Sequence, residues 1–480
     1  MRRRHTASSR TSFSAWPPPS SGACDPGSSG RAPSDGGAHC AGAGGHRSPS
    51  VDRAMKLARS LSLSTLSTGL RLAAALVSFS IVARALGPAG FGMLMLCLSI
   101  AALLAIAGSF GLVTYVLREL GRAGELNRGV WSEALSAKLI ATSFAFALSL
   151  LVLPLLSPDL RWAYVALVVA MQAEAFGEFC VAGLRARERY DVEARLALVS
   201  GIVNATGVGV VAWATGSLPA IALTYAFTRL VMAFVIVWRV AAVLGPLQPA
   251  PLSAGWRRLK SASGYALDSM LTSAFGQVDS LVLNHFLGPL AVGVHQAGMR
   301  IFLAGSQAAT VLANVFLPRA ARAHSLGADE SRREVGRLQL AFLLVGASFG
   351  LLLAACGHWL VGLMFGDQFA ALGELMPWFG LLFAVKFGAA AWGLVLTASG
   401  AQRYRALANA FHWLCVGVGA WFLVPRLGNL GWLLALITGN LVLYGLYAAK
   451  TASASPPSAR TLGLTAAILV AFLPLLHWPR

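Results

Sequence analysis

The chain has 480 residues, of which 56% are hydrophobic and 12% charged, with a mean hydropathy of +0.67. Soluble domains carry about 25% charged residues, so the composition excludes a water-soluble globule and a disordered chain and leaves a polytopic membrane protein. Lys and Arg (38) outnumber Asp and Glu (19) for a net charge of +19; in a membrane protein such an excess reads as cytoplasmic loop charge, so no nucleic-acid partner is expected. The six cysteines form no CxxC pair, and Cys97, Cys180, Cys356 and Cys415 lie in apolar stretches, so neither a disulfide framework nor a metal site is expected.

Residues 1–52 hold 11 Ser, 8 Gly and 6 Pro without an apolar period. Such a segment cannot bury enough surface to offset its ordering entropy, and disorder is expected over residues 1–54. No apolar run follows Arg2–Arg4, so it is not a signal peptide. The natural start is expected near Met55. From residue 62 apolar runs follow at 63–84, 91–116, 134–156, 162–181, 196–215, 219–238, 265–286, 291–316, 339–362, 375–397, 407–424, 430–449 and 461–478. Each approaches the roughly 20 residues that span a bilayer as a helix. The expected fold is therefore an all-α membrane protein of twelve transmembrane helices. The run with Pro474 is a candidate thirteenth.

Loop charges order the spans. With the N-terminus inside, inner segments carry clusters such as Arg118/Arg122/Arg128, Arg185/Arg187/Arg189/Arg195 and Arg319/Arg322/Arg332/Arg333/Arg337. Outer segments carry only Arg84, Arg161, Arg426 and Arg480, never more than one each. That is the alternation of a correctly counted topology.

The chain also repeats itself. Leu86-Gly87-Pro88 with Gly92 recurs as Leu287-Gly288-Pro289 with Gly293. Phe176-Gly177 with Gly183-Leu184 recurs as Phe387-Gly388 with Gly393-Leu394. Arg189-Tyr190 recurs as Arg403-Tyr404, and Val208–Trp213 as Val416–Trp421. Six spans separate equivalent points, so the halves are parallel repeats about an axis along the membrane normal, enclosing a central cavity. The boundaries read as a first lobe over 55–243, a cytoplasmic linker over 244–262, a second lobe over 263–450, and a tail over 451–480.

The repeated residues carry a likeness. The stretch from Ala83 to Gly92 resembles the first-hairpin signature of polysaccharide exporters of the Wzx type, in the multidrug/oligosaccharidyl-lipid/polysaccharide superfamily. Phe110-Gly-Leu112 with Arg118-Glu119, and Gln277-x-Asp279 leading to Gly293 and Arg300, are similar to further family motifs. Ser109 and His295 depart from it, standing where relatives often have an acidic residue and usually a tyrosine. The resemblance implies a flippase, not an enzyme, without cofactor. It would carry a polyprenyl-diphosphate-linked oligosaccharide across the bacterial inner membrane for O-antigen, capsule or exopolysaccharide synthesis. Membrane lipids, a polysaccharide polymerase and a chain-length regulator are the partners to expect. A multidrug or cation antiporter and a lipid II flippase of the same superfamily are the alternatives.

Ionisable groups inside spans cost a few kcal/mol or more against lipid, so each must face a cavity or a partner. Arg71, Arg229, Arg300 and Lys386 are the candidates for a cationic, diphosphate-binding chamber. Ser78 shares the Arg71 face, along with Ser64 and Thr68. Gln296, Gln307 and Asn314 share the Arg300 face and are candidate polar lining. Glu174, Glu178, Asp268 and Asp279 are candidates for ion coupling. They serve equally well as counter-ions to the arginines. Arg84, at a helix end, is expected to be interfacial or structural.

Overall fold

Leu-Gly-Pro breaks two long apolar stretches, and the structure shows why. In the computed structural model, which describes residues 49–123, 128–246, 248–274, 276–326, 328–452 and 472, helix α1 (Pro49–Ser109) bends at Gly87, whose φ is 67°. In the second half α7 (Leu252–Ala274) and α8 (Val278–Leu287) lead to Gly288, with φ 80°, and Pro289 opens α9 (Pro289–Leu326). A left-handed glycine stops one helix, and a proline with its φ already set starts the next. The motif thus folds the chain back in each half.

The other helices are α2 (Leu112–Ala123), α3 (Arg128–Leu150), α4 (Pro158–Ala186), α5 (Tyr190–Thr215) and α6 (Leu218–Leu244) in the first half. The second half continues with α10 (Ala328–Phe365), α11 (Ala370–Ala398), α12 (Gln402–Leu427) and α13 (Asn429–Ala452). Among the described residues no strand occurs. Ten stretches among the described residues are long and apolar enough to cross a membrane. The first of them, Gly69–Leu120, contains the bend at Gly87 and so accounts for two crossings, while α7 and α8 occupy the place of the span expected over 265–286. Eleven of the twelve expected spans thus fall on stretches long and apolar enough to cross, and the remaining one falls on the broken pair α7 and α8. The candidate thirteenth lies outside the described residues except Phe472, which is fully buried against Gly350 and Gly380. The expectation for residues 1–54 likewise lies outside them, apart from the first residues of α1.

Contacts divide largely by half. In the first, α6 packs on α4 and α5, and α4 on α2 and α3; in the second, α11 packs on α9, α10 and α13, and α12 on α13. Met55–Arg480 form one compact unit. The stretch between the halves is held to the first of them. Ser136 Oγ donates to the Ala250 carbonyl at 2.6 Å, and Arg258 donates to Glu133 and to the Tyr115 hydroxyl, both at 2.6 Å. What reads in sequence as a linker is thus partly the helix α7, docked on α3.

One further break lies between α1 and α2, where Phe110 (φ 45°) and Gly111 (φ 64°) are both left-handed. Helix ends release carbonyls, and in an apolar interior each needs a partner. Fully buried Lys138 donates to the released Gly108 carbonyl at 2.9 Å, and Gln172 donates to the Leu104 carbonyl, one turn further inside the helix, at 3.3 Å.

Candidate functional site

The polar face of α1 does not turn to lipid. Arg71 and Ser78 line a cavity of about 670 Å³ whose walls come from α1, α4, α5 and α6. The cavity extends from Val82 and Ile221 to Arg185, Tyr190 and Glu193 at the turn between α4 and α5. That turn belongs to the end of the molecule bearing the dense basic clusters.

Three arginines and three glutamates line it: Arg71, Arg185 and Arg229 with Glu174, Glu178 and Glu193. Arg229 reaches Glu174 at 2.8 Å and donates to the Tyr225 hydroxyl at 3.2 Å. Arg185 reaches Glu178 at 2.6 Å and Glu193 at 2.8 Å. Arg71 has no ion-pair partner among the described residues; its aliphatic stem lies over Gly201, and its side chain is exposed. A side chain at 201 would collide with that stem, so the glycine makes room for the arginine. Asn204 and Thr228, 2.9 Å apart, add hydroxyl and amide groups between α5 and α6.

The chamber expected to be cationic is thus charge-balanced, with one arginine left unpaired. Glu174 and Glu178 are not a carboxylate pair facing each other; each holds an arginine instead. Arg300 and Lys386 do not line this cavity. The Arg300 guanidinium stands 4.0 Å from the centre of the Phe79 ring and 3.0 Å from the Met95 sulfur, at the junction of the halves behind the cavity wall. Lys386 lies in the second half, exposed on the otherwise buried middle of α11, its ammonium 5.1 Å from the Phe302 ring. Both groups thus lie within cation–π range of a ring, and the Arg300 Nε is buried without a hydrogen-bond partner among the described residues.

Asp279 and Gln296 meet in a separate buried cluster. Gln296 donates to Asp279 at 3.1 Å and to Ser280 at 2.7 Å, Ser99 donates to Ser280 at 2.9 Å, and His295 Nε2 lies 3.4 Å from Asp279. This cluster joins α1 to α8 and α9, away from Arg71. Gln307 is half-buried and Asn314 exposed on α9, and neither lines the cavity. The side chains of Asp268, Ser64 and Thr68 lie outside the described residues. Sequence reasoning missed Lys138 and assigned Arg185 to a loop; a basic residue in an apolar run with no acid at helical spacing was the available signal for the first.

The opposite end of the molecule is sealed between the halves. Arg84 donates from Nε to the Met364 carbonyl at 2.9 Å, from its terminal nitrogen to Gly362 at 3.2 Å, and to Leu363. Ser80 also donates to Met364. Beside this clamp Gly92 and Gly293 touch backbone to backbone. A Cβ on Gly92 would strike the Pro289 carbonyl, and one on Gly293 the Pro88 carbonyl.

The cavity reaches one end and the halves lock together at the other; the expected chamber between the two lobes is here a cavity lined by α1, α4, α5 and α6 of the first half. The family model described as polysaccharide biosynthesis protein matches residues 57–324. The chain belongs to that family. Among solved structures, the lipid II flippase MurJ in an inward closed conformation superposes with a TM-score of 0.71 at 10% identity, covering 87% of this chain and 93% of that one. An inward-facing multidrug resistance MATE transporter of the MOP superfamily gives 0.58 at 14% identity, covering 85% and 98%. A eukaryotic MATE transporter gives 0.57 at 12%, covering 87% and 99%. At these identities the likeness establishes the fold, an all-helical transporter fold. No curated protein sequence matches the chain. Among the described residues no group of His, Cys, Asp and Glu could hold a metal ion.

Proposed function

We propose that this member of the polysaccharide biosynthesis family flips a polyprenyl-diphosphate-linked oligosaccharide from the cytoplasmic to the outer leaflet of the inner membrane, by alternating access. The observation that carries the reading is the cavity with an unpaired arginine at one end of the molecule and the interlocked halves at the other. Placing the basic end in the cytoplasm follows the loop charges, and the sealed end then faces outward.

In this scheme Arg71 holds the diphosphate, for which a guanidinium offers paired donors at fixed geometry. The glycan occupies the polar cavity, and the prenyl chain stays in lipid. Opening to the far side requires the Arg84 clamp to release. Each negative charge moved outward gains about 2.3 kcal/mol per 100 mV of inside-negative potential. The sequence holds no GxxxxGK[ST] phosphate loop, and this drive needs no nucleotide hydrolysis. Arg71→Ala in a strain dependent on this chain should abolish surface glycan and accumulate lipid-linked precursor, with membrane insertion unchanged on immunoblots. Normal glycan output from that variant would overturn the reading.

A further inference from the structure

The charge balance of the cavity narrows the cargo beyond its class, on the strength of the flippase reading. A chamber that recognised an acidic glycan would leave guanidinium groups free along its wall. Here Arg185 is paired with Glu178 and Glu193, and Arg229 with Glu174 and the Tyr225 hydroxyl. Glu174 and Glu178, though not Glu193, are more exposed than the arginines they hold. Glu174 is 44% exposed against 18% for Arg229, and Glu178 is 52% exposed against 28% for Arg185. The cavity is therefore presented chiefly with carboxylate oxygens, which accept hydrogen bonds and donate none. Sugar hydroxyls are donors that match them. A carboxylate on the sugar would meet like charge with its nearest arginines already neutralised, in a site where charge interactions are screened less than in water.

Around these groups stand Tyr190, half-exposed at the rim, and Asn204, which offers amide donors and an acceptor suited to hydroxyl or acetamido groups. Of the arginines that line the cavity, Arg71 alone has no ion-pair partner among the described residues and can meet an anion, and the diphosphate that links glycan to lipid supplies one. We propose that the transported glycan is neutral and rich in hydroxyls, with the diphosphate as its sole strong anion. The paired glutamates Glu174 and Glu178 select against uronic-acid and other acid-bearing sugars.

The test uses the full chain in lipid nanodiscs and three soluble probes. These are a short-chain isoprenyl diphosphate alone, the same diphosphate carrying a neutral dihexoside, and the same dihexoside with its terminal hexose oxidised to the uronic acid. Affinities are read by calorimetry. The neutral probe should bind at least about tenfold more tightly than the acidic one, a difference of about 1.4 kcal/mol. Glu174→Gln combined with Glu178→Gln should remove or reverse that preference by taking two carboxylates from the wall and freeing Arg229, while Arg185 keeps Glu193. Equal or tighter binding of the acidic probe to the unaltered chain overturns the neutral-glycan assignment and leaves the flippase reading standing. This arm needs no variant to fold. Failure of all three probes to bind would overturn both.

Discussion

Arg84→Gln should unlock the outer end of the molecule. The wild-type guanidinium donates to three successive carbonyls, those of Gly362, Leu363 and Met364, at the C-terminus of α10. Those carbonyls lie in the last turn and carry the negative end of the helix dipole, and that of Gly362 also accepts from the Gly366 N–H at 3.0 Å. A hydrogen bond from a charged donor is worth about 1.5–3 kcal/mol, but Arg84 is exposed, and solvent reduces each bond to about 1 kcal/mol or less. The clamp then contributes about 2–3 kcal/mol to the closed state, and its loss raises the outward-open population about 30- to 150-fold. The reporter is a single cysteine at Val82, which lines the cavity and is buried in the closed state. In a background free of other cysteines, an impermeant maleimide added from outside should label Arg84→Gln faster by that factor until the open state dominates. Glutamine retains one donor, so Arg84→Ala should give the upper part of the range, and Ser80→Ala should add to it through the lost bond to Met364. An unchanged labelling rate in the Arg84→Ala, Ser80→Ala double variant would refute the clamp.

The remaining expectations concern other joints of the structure. Gly293→Ala drives a methyl group into the Pro88 carbonyl, so it should raise labelling at the Val82 reporter as the Arg84 variants do; Gly92→Ala should match it through Pro289. Lys138→Met should be neutral or stabilising in reversible detergent unfolding. The bond to Gly108 and its orphaned carbonyl are worth about 1–3 kcal/mol, against several for desolvating an ammonium with that one described acceptor; a loss above about 3 kcal/mol would contradict this. Glu133→Gln leaves Arg258 with only the Tyr115 hydroxyl of its two described partners. As both side chains of that pair are partly exposed, it should cost about 1 kcal/mol or less, and protease access to the stretch before α7 should rise accordingly.

The spans were legible because lipid imposes a length and a composition that any reader of the chain can count. The helix breaks were legible too, since Leu-Gly-Pro needs a glycine at positive φ and a proline with its φ already set, and both copies fold as that chemistry requires. The site was only half legible. Helical spacing put Arg71 and Ser78 on one face, and the structure puts both in the cavity. Spacing within a helix says nothing about which acid lies across the gap. Glu174 meets Arg229 from another helix, and Glu178 turns to Arg185 and away from Glu174. Arg300 was placed with Arg71 because both are basic and inside spans, whereas an aromatic ring and a sulfur, Phe79 and Met95, occupy its guanidinium. Neither of these carries a charge that a sequence pattern could flag. Lys138 escaped notice for the opposite reason: its acceptor is a main-chain carbonyl exposed by a helix break, and main-chain groups leave no mark in a sequence.

The glycines that meet between the halves hold corresponding places in the repeat, 92 and 293. Each sits against the proline carbonyl of the other's Leu-Gly-Pro turn. A bulkier residue acquired by either copy would therefore press on its duplicate as well as on its own surroundings. At this one spot the descendants of a doubled segment are not free to drift apart, and the ancestral hydrogen must persist in both so long as the molecule is to shut.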